Sequence, residues 1–174
     1  MKTIETERLT LRGWKKSDDG DLFAFFKNDS ILLAGASVHK TIKESRAFIQ
    51  ACNRSDEIWA IVLRNEQKVI GWIGLYDTNR HAGYKETEYV ISDVYKNHGV
   101  ATESLKAVLR YAFEERKALA VAACHYPENT ASKRVLEKCG FVYEGTLREF
   151  SKNMSDSVRY SILKEEWASL YGNR

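Results

Sequence analysis

Hydrophobic and polar positions alternate along this chain with two different periods, that of a strand and that of a helix, and these periods predict a mixture of strands and helices. Leucines alternate with polar residues over 7–12, which is the period of a half-buried strand. Ser17 and Asp18 are placed to cap a first helix. Thr41 and Glu44 have the spacing of a capping box, which predicts a second helix running to about Cys52.

The rest of the chain continues this mixture. The predicted strands cover 58–63, 68–76, 86–92, 119–124, 141–146 and 158–163, with a hairpin turn at 64–67 and a polar loop at 77–83. One helix is predicted from Ala101, and another from Asn129 as its cap to Gly140 as its stop. Only the β-α-β-α part in the middle need be parallel, so the pattern predicts a mixed sheet covered by helices.

Composition narrows the class of protein. At 174 residues, one domain over 1–174 is expected, and the net charge of +3 is too mild to indicate nucleic-acid binding. The N-terminus lacks the apolar core of a signal peptide, and no apolar run approaches the length of a membrane span. We therefore expect a cytoplasmic protein with no membrane and no nucleic-acid partner, whose charge is compatible with a polyanionic cofactor.

Cysteines and histidines do not indicate a metal site. The three cysteines, Cys52, Cys124 and Cys139, lack metal-ligand spacing, and their apolar surroundings predict buried free thiols. No two of the histidines have metal-ligand spacing either; they are His39, His81, His98 and His125. Of these, only His98 has a functional context, and the others are expected to be solvated loop residues.

The segment from Lys96 to Thr102 has the character of a phosphate-binding turn. It joins a predicted strand to a helix, whose first N–H groups lack carbonyl partners and carry partial positive charge. Gly99 and Ala101 are small enough for close backbone approach, while Lys96 and His98 add charge beside the turn. An ordinary loop-to-helix junction is the alternative. A P-loop and a dinucleotide fingerprint are both excluded by the missing Lys-Ser/Thr ending and the missing glycines.

Several segments resemble one family. Lys96 to Ala101 is similar to the acetyl-CoA motif of the GNAT acetyltransferase superfamily, with lysine where glutamine or arginine is usual. Thr6 to Arg12, Ala101 to Ser104 and Pro127 to Phe141 resemble the branch that acetylates N-termini of ribosomal proteins at serine or alanine. The resemblance covers nearly the whole chain in order.

This resemblance implies an α/β (α+β) fold. The expected sheet is mixed, mostly antiparallel and seven-stranded, flanked by about four helices, with a central parallel pair (86–92 and 119–124) splayed at one end. Acetyl-CoA is the implied co-substrate, without a metal. The residues implied to bind it are Val90, Ile91, Ser92, Lys96, Asn97, His98, Gly99, Val100, Ala101, Thr102 and Asn129.

The resemblance also implies catalytic roles. Glu86 matches an acidic position before the cofactor strand and is the candidate base, although a solvated sheet face would also explain it. Ser132 matches a serine that protonates the departing thiolate, although it could simply help to cap its helix. Many relatives use a tyrosine for that step, but this chain has Leu136 there.

The resulting expectation is acetyl transfer from acetyl-CoA to a primary amine by direct attack. The acceptor is expected to be a protein or peptide N-terminal α-amino group. The alternatives are a small-molecule amine, such as a polyamine, an aminoglycoside or an amino acid, and a non-catalytic module that binds acetyl-CoA. A monomer or a homodimer is expected.

Overall fold

The computed structural model describes residues 1–78, 82–151 and 153–172. It divides the chain into two compact units, one comprising Met1–Gly74 and Tyr89–Ala107 and the other Leu75–Glu88 and Val108–Arg174. The single domain over 1–174 stays a prediction. The predicted loop over 77–83 lies partly outside the described residues, as does His81.

Within the described residues, eight strands form the sheet. They are β1 (Ile4–Glu5), β2 (Leu9–Arg12), β3 (Ile58–Leu63), β4 (Lys68–Asp77), β5 (Tyr84–Ile91), β6 (Ala120–His125), β7 (Val142–Leu147) and β8 (Ser157–Leu163). Their order is β1-β2-β3-β4-β5-β6-β8-β7. β5 and β6 are parallel, with Tyr84 opposite Ala120 and Glu86 opposite Ala122, whereas β8 is antiparallel to both β6 and β7. The mixed sheet with a parallel pair is therefore confirmed.

Over 1–78, 82–151 and 153–172, five α-helices accompany the strands. They are α1 (Asp19–Phe26), α2 (Ile42–Ser55), α3 (Val100–Arg110), α4 (Thr130–Lys138) and α5 (Lys164–Tyr171). A π-helical turn over Tyr111–Glu115 extends α3 and places Phe113 in the core. α5 adds Trp167, whose ring stacks on that of Phe113 with centroids 5.2 Å apart.

Two elements exceed the sequence-based count of seven strands and four helices. β1 is only two residues long and pairs with β2, so it is too short for an alternating pattern to reveal it. α5 follows β8 without a loop, and its apolar face consists chiefly of Trp167. The mixed α/β class is nevertheless the one predicted.

The predicted capping box of α2 does not form. Thr41 is the N-cap residue but makes no side-chain cap hydrogen bond. The Glu44 carboxylate instead accepts the backbone N–H of Lys40, at 2.6 Å. Glu44 thus reaches one residue further back than the motif requires.

Each unit has an apolar interior. In the first, residues of α1, α2, β3 and β4 bury Trp14, Leu22, Phe25, Phe26, Ile49 and Trp72 together. In the second, the fully buried residues include Phe113, Val121, Leu136, Cys139 and Ile162. No α-helix within the described residues is long and apolar enough to cross a membrane.

Two histidines differ from their predicted solvated state. His39 is buried, stacks near Phe26 at 4.2 Å between centroids, and has Nδ1 2.9 Å from Ser45 Oγ. His125 is also buried and stacks on Tyr160 at 5.6 Å. The carbon atoms of a neutral imidazole ring can pack against aromatic neighbours when one ring nitrogen makes a hydrogen bond, as Nδ1 does in both residues.

Candidate functional site

The turn before α3 has two left-handed backbone positions and precedes unpaired N–H groups of the helix. Asn97 and Gly99 both have left-handed φ values, 63° and 78°, a region that asparagine and glycine tolerate best. The Glu103 N–H donates to the Gly99 carbonyl at 3.0 Å, which starts the hydrogen-bond ladder of the helix. The N–H groups of Val100 and Ala101 precede that bond and have no helix carbonyl to pair with. This arrangement fits a phosphate group, because such N–H groups and the helix dipole favour an anion.

The charges beside the turn are largely offset. Lys96 Nζ lies 2.5 Å from Asp93 Oδ1. Hydrogen bonds from Lys96, then from Ser30, hold the pKa of Asp93 below its usual value. His98 Nδ1 lies 2.8 Å from the carbonyl oxygen of Lys96. The attraction of an anion to this turn therefore depends mainly on backbone groups, and less on Lys96 than the sequence suggests.

Arg8, which immediately precedes β2, holds the same turn in place through hydrogen bonds. Its Nη1 donates to the His98 carbonyl at 3.0 Å, and its Nε donates to Glu103 Oε2 at 2.8 Å. Glu103 Oε1 accepts from Thr6 Oγ1 at 2.6 Å and from the Arg8 backbone N–H at 3.0 Å. A Cβ atom placed on Gly99 would lie 3.3 Å from Arg8 Nη2. Arg8 thus ties the turn to the first turn of α3.

The end of β5 offers one residue for pairing with a ligand. Ser92 donates its N–H to the Ile70 carbonyl at 2.8 Å, and its own carbonyl accepts from Tyr95 at 2.9 Å. The in-plane backbone groups of a strand alternate in direction, so Val90 points toward β4 as Ser92 does, and Ile91 points away from it. Of the three residues implied to pair with the pantetheine arm, Ile91 has the suitable direction.

Glu86 belongs to a hydrogen-bonded cluster of the second unit. Its Oε1 accepts from Arg159 Nη1 at 3.2 Å. Arg159 also donates from Nε to Glu144 Oε2 at 2.9 Å and from Nη2 to Tyr84 Oη at 3.1 Å. Glu144 Oε1 accepts from Ser161 Oγ at 2.6 Å. The predicted base is therefore an ion-paired carboxylate on a polar sheet face.

Cys124 lies beside this cluster and is exposed, which corrects the prediction that it is buried. It alternates along β6 with the buried Ala123, so it shares the face of its cross-strand partner Arg159. Although the residue as a whole is exposed, its sulfur is partly shielded from water beside Arg159, and this shielding raises the pKa of the Cys124 thiol despite the opposing charge of Arg159. A protonated thiol at neutral pH is a poor nucleophile. The other two cysteines, Cys52 and Cys139, are buried as predicted.

Asn129 begins α4 as predicted. Its Oδ1 accepts the backbone N–H of Ser132 at 3.0 Å, which is the geometry of a side-chain cap. Ser132 lies in the first turn of the helix and is partly exposed. Leu136, in the position where many relatives have a tyrosine, is fully buried and packs in the core.

Comparison with known proteins gives the family. A model described as an acetyltransferase (GNAT) domain matches residues 8–142. YnaD of Bacillus subtilis, an uncharacterized N-acetyltransferase, is 30% identical over 169 residues, which cover 94% of this chain and 98% of YnaD.

Solved structures show the same fold. An acetyltransferase of the GNAT family from Bacillus anthracis matches with a TM-score of 0.86 and 28% identity, covering 94% of this chain and 99% of that one. RimJ of Mycobacterium smegmatis, in complex with CoA-disulfide, matches with a TM-score of 0.81 and 21% identity, covering 95% and 88%.

The chain belongs to the GNAT acetyltransferase family. It is an acetyl-CoA-dependent N-acetyltransferase. The resemblance to the GNAT superfamily is therefore confirmed.

The structure groups the implied residues in two sets, each within one unit. The first unit holds the turn at 96–102 with the end of β5, and the second holds Glu86 and, on α4, Asn129 and Ser132. Sequence reasoning missed Arg8 as a brace and Arg159 as the partner of Glu86. An arginine inside the apolar strand 157–163 is a signal that could have indicated Arg159, because a buried charge needs partners.

Proposed function

We propose that the enzyme acetylates a primary amine by direct attack, and that the acceptor is the α-amino group of a protein or peptide N-terminus. The observation that carries the acceptor class is the acidic sheet face around Glu86. The resemblance to N-terminal acetyltransferases of ribosomal proteins supports the same acceptor.

In the part of the chain that the structure describes, this face carries three carboxylates for one guanidinium. Glu86 and Glu88 point to the same side of β5, and Glu144 joins them through Arg159. Tyr76 Oη donates to Glu88 Oε1 at 2.5 Å. The net negative charge attracts a cationic amine and disfavours an anionic acceptor.

Glu86 is the proposed base. An amine must lose a proton before it attacks, and an α-amino group, with a pKa of about 7.7–8.0, needs far less help than a lysine at about 10.4. A carboxylate is a weak base, which suits an α-amino group. Glu86 would take the proton directly or through a water molecule.

Acetyl-CoA would supply the thioester. The N–H groups of Val100 and Ala101 would bind its pyrophosphate, braced by Arg8, and Asn129 would bond the pantetheine arm. The CoA-disulfide complex of the M. smegmatis relative, which has the same fold, supports a CoA ligand.

In the remaining step, negative charge develops on the carbonyl oxygen and on the departing sulfur, and one backbone group and one side chain would stabilise it. As the amine nitrogen bonds to the carbonyl carbon and the carbon–sulfur bond breaks, the Ile91 N–H would stabilise the oxyanion. Ser132 would donate a proton or a hydrogen bond to the thiolate. A thiol with a pKa of about 8.5 leaves readily enough that this donor accelerates the reaction without being essential. The protonated Cys124 thiol fits transfer without an acyl-enzyme. A cytoplasmic location, where acetyl-CoA and nascent chains meet, completes the proposal.

The experiment measures thiol release from acetyl-CoA with a panel of acceptors. The panel comprises peptides with a free N-terminal serine or alanine, the same peptides with blocked N-termini and an internal lysine, a polyamine and an aminoglycoside. We expect the highest kcat/KM with the free N-termini and little turnover with the blocked peptides. Preference for the polyamine or the aminoglycoside would contradict the acceptor class, and release without any acceptor dependence would contradict transfer.

Glu86→Gln tests the base in the same assay. It should lose more activity at neutral pH than at high pH, where the free amine is abundant. Ser132→Ala, which keeps the backbone N–H that Asn129 accepts, should lose rate moderately without weaker acetyl-CoA binding. A wild-type pH–rate profile in Glu86→Gln would remove Glu86 from the mechanism.

A further inference from the structure

Arg159 is an unusual residue for the interior of β8. Its side chain is only 6% exposed, whereas those of its partners Glu86 and Glu144 are 44% and 39% exposed. Burying a guanidinium is costly unless its charge and its donors are matched. Its neighbours in the chain, Val158 and Tyr160, are apolar and aromatic, so Arg159 is a charged residue within an otherwise apolar stretch.

The donors of Arg159 are nearly all used inside the protein. A guanidinium has five N–H donors. Four are directed to partners: Nε to Glu144, Nη1 to Glu86 Oε1 and to Cys124 Sγ, the latter at 3.9 Å, and Nη2 to Tyr84. A carboxylate or phosphate of a substrate would therefore have to displace existing partners and enter a buried position. Arg159 is thus poorly suited to bind an anionic acceptor.

The geometry fits a different use. Arg159 donates to Oε1 of Glu86, and the Glu86 side chain is still 44% exposed, so the carboxylate can also accept a hydrogen bond from an incoming amine. The other partners, Glu144 and Tyr84, fix the guanidinium plane from two directions. The Glu144 carboxylate is itself fixed by Ser161.

We propose that Arg159 is a positioning residue for the reaction, which fixes the Glu86 carboxylate with one oxygen turned to the acceptor amine. This inference rests on the proposed role of Glu86 as the base. It assigns Arg159 no contact with the acceptor.

The charges around Glu86 agree with this assignment. The titratable and charged groups of the second unit on its face are Tyr76 on β4, Tyr84 and Glu88 on β5, Cys124 on β6, Glu144 on β7 and Arg159 on β8. Among the described residues of this face, only Arg159 is cationic. Burial works against its charged form, but the hydrogen bonds to Tyr84 and Glu86 raise the pKa of Arg159 above its usual value, so it stays charged.

Two substitutions separate the charge of Arg159 from its geometry. Arg159→Met removes both the charge and the geometry. The neighbouring carboxylates then bind a proton more readily, so the acid limb of the kcat/KM profile moves to higher pH. Arg159→Lys keeps the charge but lacks the planar fork. It should leave the acid limb near its wild-type position while kcat/KM falls about 10- to 100-fold through misplacement of Glu86.

The assay uses the full chain and a peptide with a free N-terminal serine. Tyr84→Phe is a milder third variant, because it deletes one hydrogen bond to Nη2 and keeps the ring. Arg116→Met is the matched control: it removes another arginine of the second unit whose Nη2 is paired with a carboxylate, that of Asp77, at 3.3 Å. The control should leave the pH profile unchanged.

If Arg159→Met does not fold, the kcat/KM profile of Tyr84→Phe should move in the same direction by a smaller amount.

The outcomes distinguish this inference from the proposed function. If Glu86→Gln alters the pH–rate profile but Arg159→Met and Tyr84→Phe change neither that profile nor kcat/KM, Arg159 is structural only and the inference fails while the base survives. A wild-type profile in Glu86→Gln overturns the base role and the inference with it. A shift in Arg159→Met that is abolished by adding Glu86→Gln supports the inference.

Discussion

Replacing Gly99 with alanine should separate the phosphate turn from its surroundings. Gly99 has φ of 78°, and an added Cβ would lie 3.3 Å from Arg8 Nη2. An L residue in the left-handed region costs roughly 1–2 kcal/mol. The Arg8 guanidinium is the end of a side chain that is 47% exposed, so it can move aside at little additional cost.

These values give the expected magnitudes. For a chain of 174 residues, each 1 kcal/mol lowers Tm by about 2–4 °C, so Gly99→Ala should lower Tm by about 2–8 °C. Relieving the strain rotates the backbone, and the N–H groups of Val100 and Ala101 then lose their aim. Loss of one hydrogen bond to a charged group, worth about 1.5–3 kcal/mol, weakens acetyl-CoA binding about 10- to 100-fold.

The assay is calorimetric titration with acetyl-CoA, combined with thermal unfolding. Gly35→Ala is the matched control, because Gly35 has φ of 74° at the end of a 3₁₀ helix elsewhere in the same unit. It should lower Tm to a similar extent and bind acetyl-CoA normally. Equal acetyl-CoA affinity in Gly99→Ala and Gly35→Ala would refute the assignment of the turn.

Three further predictions concern single residues. Burial opposes the ionisation of Glu103, but hydrogen bonds from Thr6 and Arg8 outweigh it and lower the pKa of Glu103 below 4.5. This stabilisation is therefore present above that value and is lost as pH falls through the lowered pKa, so Glu103→Gln should reduce Tm at neutral pH and converge with wild type in acid. Burial lowers the pKa of His39 below 6.5, so the free energy of unfolding should fall as pH drops from that value. His39→Phe should reduce this dependence of stability on pH in unfolding curves. An unchanged dependence would exclude His39 as its source. Asn129→Ala should lose about 0.5–2 kcal/mol of stability as a cap, while Asn129→Asp should melt normally but bind acetyl-CoA more weakly; normal binding in Asn129→Asp would leave only the capping role.

Local patterns predict most of the fold because they encode which face of each element is buried. The hairpin of β3 and β4, the parallel pair and the cap at Asn129 follow from periodicity, turn residues and capping. The patterns fail where structure depends on distant partners. Glu44 bonds to Lys40 and not to Thr41, and β1 exists only because β2 lies beside it.

The candidate site divides in the same way. Small residues at the start of a helix can be recognised from the sequence, so the turn at 96–102 could be predicted. The pairing of Arg8 with Glu103 and of Arg159 with Glu86 joins residues far apart in the chain, so no local pattern reveals either pair. The exposure of Cys124 likewise depends on the polar neighbours that β8 brings to its face.

The most direct test of the account locates the transferred acetyl group. The enzyme is incubated with isotope-labelled acetyl-CoA and a peptide that has both a free N-terminal serine and an internal lysine, and tandem mass spectrometry maps the label. The account predicts the label on the peptide α-nitrogen and none on the enzyme. Label confined to the lysine Nε, or an acetylated Cys124 that passes its label to the peptide, would contradict direct transfer to an N-terminal amine.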